Sequence, residues 1–167
     1  MDNIYISALT KAYFALREQL KKGDYEKNYT ECYYAIGTML HWLLDVVERL
    51  YNDKSKCCEF RFINNQLKHN ASIIELHSIS GGLCFVKEGF PFGVIETDGE
   101  IASTFVFPEY ELVWKEINIA DLDKRYTIES KYINQINAYQ NNLQNKNILE
   151  SFTAVYESIM NEVKSSE

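Results

Sequence analysis

The stretch Phe60 to Leu76, FRFINNQLKHNASIIEL, gathers Arg61, Asn64, Asn65, Lys68 and His69 into about two and a half helical turns. An imidazole titrates near neutral pH and can give or take a proton. A guanidinium or ammonium group can neutralise a phosphate that is gaining negative charge, and amides can bond to phosphate oxygens or base edges. Metal-independent RNA cleavage needs such a set: a base for the ribose 2′-hydroxyl, a cation for the phosphorane and an acid for the leaving oxygen. Residues four apart on a helix share a face. Arg61, Asn65 and His69 therefore form one polar ridge, and Asn64 with Lys68 the next, beside the apolar Phe60, Ile63 and Leu67. At ~1.5 Å per residue Arg61 and His69 stand about 12 Å apart along the axis, a gap that an extended arginine narrows. His69 falls where the helix should end, in position to face a cleft before the following strand.

A plainer reading accounts for the same residues. Cations in a last helical turn complement the dipole by about 0.5 kcal/mol each, which covers Lys68 and His69. Asn70 then acts as the helix terminator, and Arg61 pairs with Glu59, Glu75 or an acid elsewhere.

Other chemistry-bearing residues are sparse. His41, at the edge of an apolar stripe, is expected to be a partly buried, hydrogen-bonded histidine. His77 has only Glu75 and Glu96 as possible companions, so no metal site is expected. Gly81-Gly82 lacks a nucleotide fingerprint and reads as a turn, so no cofactor is expected. The four cysteines, 32, 57, 58 and 84, include no CxxC pair, which argues against a zinc knuckle or a disulfide framework.

The chain that must position these residues has 167 of them, 46% hydrophobic and 14% aromatic, with a formal charge of −7. That is the size of one folded domain. A generally basic nucleic-acid surface is excluded, so any RNA contact must rest on a local patch. The N-terminus has an amphipathic period rather than the pattern of a signal peptide. The greasiest run, MLHWLLDVV, is too short and too polar to span a bilayer. The expectation is a cytoplasmic protein with no membrane partner.

The spacing predicts helices over about 3–22, 25–51 and 56–70, a β region over about 72–115 and a helical region over about 122–164. In the first helix Ile4, Ala8, Ala12, Leu16 and Leu20 form the stripe, with Tyr5, Leu9 and Tyr13 beside it, and Gly23-Asp24 ends it. The short connection to the second helix implies an antiparallel pair. Five short strands are expected, 73–77, 83–87, 92–96, 104–107 and 111–115, with turns at Gly81-Gly82, Glu88-Gly89, Asp98-Gly99 and Pro108-Glu109. Across Gln144-Asn145-Lys146-Asn147 the C-terminal region is read as one long helix with a slipped stripe. The fold class is α+β: mainly a helical bundle, with a small antiparallel sheet inserted before the C-terminal helix.

Helices two and three, and above all INNQLKHN (Ile63 to Asn70), resemble the signature of HEPN-type helical domains. In that family an arginine, a short polar spacer and a histidine lie on a helix of a small bundle, and many members are intracellular ribonucleases of defence systems. The resemblance implies a homodimer, metal-free chemistry, His69 as the family histidine and Asn65 as a spacer residue. The chain departs from the pattern at one position: five residues before the histidine it has Asn64, and Arg61 lies one turn earlier. Asparagine can bond a phosphate but cannot neutralise it. The reading that follows is a HEPN-like RNA- or partner-binding module of a defence or stress system, non-catalytic or weakly active, with Asn64, Asn65 and Lys68 as binding residues. Whether the chain is an enzyme stays open; the alternative is a metal-independent endoribonuclease that uses His69 and Arg61. A third reading is an interaction protein docking a partner through the aromatics of its sheet, Phe85, Phe90, Phe92, Phe105, Phe107, Tyr110 and Trp114.

Overall fold

A computed structural model describes residues 3–23, 25–53, 55–69, 72–86, 94–97, 100–122 and 128–165; within these spans the side chains of 3, 26 and 78–109 are left aside. The described elements are α1 (Asn3–Lys21), α2 (Tyr25–Tyr51), α3 (Cys58–Lys68), β1 (Ile74–Val86), β2 (Val94–Thr97), β3 (Glu100–Trp114), a 3₁₀ turn (Ile119–Asp121), α4 (Ser130–Asn142) and α5 (Ile148–Ser165). The fold is thus mainly helical α+β, as expected. The chain forms two compact units, one of residues 1–75 and 112–167, the other of 76–111.

In the helical unit α1 ends at Lys21 and the chain turns at Gly23, whose φ of +77° is open to glycine at little cost. The chain turns at once into α2, and the two helices run antiparallel: the Tyr25 hydroxyl donates to the Leu20 carbonyl at 2.9 Å, and the Arg49 guanidinium lies 3.7 Å from the Tyr5 ring centre. Leu9, Ala12, Tyr13, Leu16 and Leu20 are buried against Cys32, Ile36, Met39, Leu40, Leu43 and Val47. Ile4, expected at the head of the stripe, is instead 74% exposed, because the buried face of α1 begins only at Leu9.

The link to α3 is tied by Asp53, whose carboxylate accepts from both the backbone and the hydroxyl of Ser55, each at 2.8 Å. The backbone of Cys57 is left-handed (φ 53°, ψ 40°), and α3 starts at Cys58 rather than near residue 56. That helix returns antiparallel to α2: Arg61 meets Glu48 near one end, and the Tyr33 hydroxyl donates to the Leu67 carbonyl near the other. Phe60, Phe62, Ile63 and Leu67 are buried. Phe62 packs on Tyr139 of α4 with ring centres 4.9 Å apart, and Phe60 on Phe152 of α5 at 5.3 Å.

Among the described residues the chain on either side of 144–147 is two helices, α4 and α5, and not the one long helix expected. Asn145 has a φ of +61°, the Asn145 N–H donates to the Trp114 carbonyl at 2.8 Å, and the Trp114 N–H donates to the Lys146 carbonyl at 3.0 Å. Val113 and Asn147 form an antiparallel bridge. Backbone groups that a continuous helix would use internally are thus spent on the end of β3, and the slipped apolar stripe marks this break. Asn147 then caps α5, its side chain accepting from the Glu150 N–H at 3.1 Å. α5 lies along α1: the Tyr13 and Tyr156 rings stack at 4.1 Å, and Tyr13 shares a 3.0 Å hydrogen bond with Thr153.

In the sheet the strand order is β1-β3-β2. β2 and β3 pair antiparallel from Val94↔Ser103 to Thr97↔Glu100. Where five short strands are expected, the described residues form three, two of them long. β1 runs straight through Gly81-Gly82, so no turn closes there, and β3 runs through Pro108. Pro108 lies beyond Ser103, where the β2 register stops, so its missing N–H removes no β2–β3 bond. Asn70, expected as the helix terminator, the expected turns at Glu88-Gly89 and Asp98-Gly99, and the side chains of Cys84, Glu96, Phe85, Phe90, Phe92, Phe105 and Phe107 lie outside what the structure describes. Of the remaining sheet aromatics, Trp114 is fully buried and Tyr110 is 46% exposed. No described helix is long and apolar enough to cross a membrane.

Candidate functional site

Three helix faces enclose a groove of about 860 Å³ in the helical unit, a size in the range of ligand sites. From α2 come Gly37, His41, Leu44, Asp45 and Glu48, each three or four residues from another and so on one face. From α3 come Cys58, Arg61, Asn64, Asn65 and Lys68, and from the first turns of α4 come Lys131, Asn134 and Gln135; Ser55 completes the lining. The buried Phe62–Tyr139 contact holds α3 against α4 beneath it.

Four of the five polar residues of the motif therefore share one wall. Arg61 is largely enclosed, with a side chain only 14% exposed. Its Nη1 donates to Glu48 Oε1 at 2.6 Å, a charge-assisted bond. Its Nε and Nη2, the edge that grips an oxyanion two-pronged, are buried and have no hydrogen-bond partner among the described residues. The acid that Arg61 finds is thus Glu48, across the groove, and neither Glu59 nor Glu75. Asn64 and Asn65 are half-buried, and Asn65 Nδ2 lies 3.5 Å from Gln135 Oε1, a long contact that fixes the amide only loosely. Lys68 and Lys131 are exposed and form no ion pair among the described residues.

His69 is placed differently. It is the C-terminal cap of α3, its backbone N–H donating to Gln66 at 3.1 Å; it is exposed, and it does not line the groove. The imidazole that does is His41, expected to be partly buried. It is exposed, with its ring set edge-on to Trp42 at 5.0 Å. Sequence reasoning passed over His41 because it follows a buried leucine. The usable signal was the 37–41–45–48 spacing on the polar side of α2. Lys131, Asn134 and Gln135 were also missed; nothing in their local sequence sets them apart, and only the packing of α4 on α3 brings them in.

The groove carries three cations, Arg61, Lys68 and Lys131, against two carboxylates, and both carboxylates are engaged: Glu48 by Arg61, Asp45 by Arg49 at 3.1 Å. Such a local excess of positive charge is what a chain of formal charge −7 needs to hold an anion. At its Cys58 end the thiols are protonated. Burial, then Glu59, pushes Cys57 up to about 11, and the same two causes raise Cys58. These thiols and Cys32 are unpaired. Among the described residues no three His, Cys, Asp or Glu side chains cluster to hold a metal ion.

No protein-family model, curated protein or solved structure matches the chain.

Proposed function

We propose that the chain is a HEPN-like RNA-binding module that holds single-stranded RNA in the groove between α2, α3 and α4 without cleaving it efficiently. The observation that carries the reading is the meeting of Arg61, Asn64, Asn65 and Lys68 with Lys131 and Asn134 on one concave surface, with the Nε–Nη2 edge of Arg61 lacking an acceptor among the described residues. Cations track a phosphate backbone, and amides meet unpaired base edges. Two features favour holding over cutting: Asn64 stands where the resembled family has its arginine, and His69 lies outside the groove lining. The homodimer and the defence or stress role that the resemblance implies belong to this proposal.

The test is to mix the purified chain with fluorescently labelled single-stranded RNA in EDTA, following anisotropy and strand integrity together. Binding of intact RNA, weakened in Arg61→Ala/Lys68→Ala, is the expected result. No binding at high protein concentration overturns the proposal. Cleavage that disappears in His69→Ala replaces it with the endoribonuclease reading.

A further inference from the structure

The inference drawn here rests on the RNA-binding reading and concerns how the groove is shaped. Gly37 sits in the interior of α2, on the groove face, half-buried. Glycine there weakens the helix relative to alanine, because it loses more backbone freedom on folding. A mid-helix glycine normally answers to a neighbouring element that leaves no room for a methyl group. Here a Cβ built on Gly37 meets nothing within 4 Å among the described residues, and its φ is not positive. Neither the packing of the described residues nor the backbone conformation at this position requires it. What it does is leave a bare turn of helix backbone in the groove wall.

One turn further along the same face stands His41, its ring set edge-on to Trp42. Asn64 and Asn65 line the groove from α3 and Asn134 from α4, beside the cations Lys68 and Lys131. Open space over a glycine next to an aromatic ring, amides offering donors and acceptors, and cations within the same cavity suit a flat heterocycle carrying a phosphate. We infer that the Gly37–His41 turn is a nucleobase seat: an unpaired base of single-stranded RNA lies over the bare backbone at Gly37 against the His41 ring, its edge met by the amides. Gly37 keeps the seat open.

The test uses the full chain, a labelled mixed-sequence single-stranded RNA, and inorganic polyphosphate as a ligand that carries phosphates without bases. Gly37→Ala and Gly37→Leu are compared with wild type in thermal midpoint and in affinity. Both variants should melt at or above the wild-type midpoint. Gly37→Leu should bind RNA at least about ten-fold more weakly, a change of about 1.4 kcal/mol, yet bind polyphosphate like wild type. Four results overturn the seat. A lowered midpoint means the fold needs the glycine. Unchanged RNA affinity in Gly37→Leu, with binding still lost in Lys68→Ala/Lys131→Ala, removes the seat and leaves the RNA-binding reading in place. Equal loss for polyphosphate means the turn receives phosphate instead of a base. Absence of RNA binding by the wild-type chain removes both.

Discussion

Arg61 gives one nitrogen to Glu48 at 2.6 Å and keeps two others, Nε and Nη2, buried with no acceptor among the described residues. An arrangement made for stability would satisfy all three, because an unpaired buried donor costs about 1–3 kcal/mol. The pair is also uneven: the arginine side chain is 14% exposed, the glutamate 42%. Removing Glu48 strands an enclosed cation, whereas removing Arg61 leaves a carboxylate that water can reach. Glu48→Ala should therefore cost about 1–2 kcal/mol, while Arg61→Met, which fills similar volume without polar atoms, should be neutral or stabilising. Urea denaturation of both variants decides it. The reverse order would mean that Arg61 serves the fold rather than a ligand.

The two histidines should separate cleanly. His41 lines the groove and His69 does not. His41→Ala should weaken RNA binding about three- to ten-fold, the loss of about 1 kcal/mol expected for one stacking contact. His69→Ala should leave affinity within error. Parallel anisotropy titrations check this, and equal loss in both would restore the motif histidine to the site.

Alkaline stability should report on Cys57. Its thiol rises from 9.0 to about 11 through burial and then Glu59. The folded chain thus holds this proton more tightly than the unfolded chain, so unfolding releases it. The resulting stabilisation is fully present below pH about 9 and is lost as pH climbs through about 11. Discounted for partial solvent access, the loss should be about 1–2 kcal/mol. Burial raises Tyr139, and burial with the Glu162 contact raises Tyr51, in the same sense. For that reason the measurement is the difference between wild type and Cys57→Ala. That difference should shrink between pH 9 and 11; a constant difference would contradict the account.

The break between α4 and α5 should depend on its cap. Asn147 receives the Glu150 N–H, and Asn147→Ala should cost about 1 kcal/mol, as loss of an N-cap does. Asn147→Asp should retain most of it. Thermal melts of the two variants test this; equal melting points would deny the cap any weight.

What could be read from the chain follows from the physics of each feature. The α2 core was legible because Ile36, Met39, Leu40, Leu43 and Val47 repeat at helical spacing, and all five are buried. The α3 polar wall was legible for the same reason, since helical periodicity alone puts Arg61, Asn65 and Lys68 on adjoining ridges. The break at Asn145 was not, because it depends on hydrogen bonds to Trp114, thirty-odd residues away in sequence. Nor was the run of β1 through Gly81-Gly82, where local turn propensity lost to the extended strand. The opposite wall of the site escaped because Lys131 and Asn134 owe their place to α3–α4 packing. His41 was misjudged from its buried neighbour Leu40, although successive helical residues point about 100° apart.

The most direct test of the groove as an RNA-binding surface is the salt dependence of affinity. For single strands log K falls against log salt with a slope of about −0.7 per phosphate contacted. Wild type should show a clear negative slope, and Lys68→Ala and Lys131→Ala should each flatten it by about 0.7 while weakening every RNA sequence alike. A slope near zero, or one that neither substitution changes, would contradict the assignment.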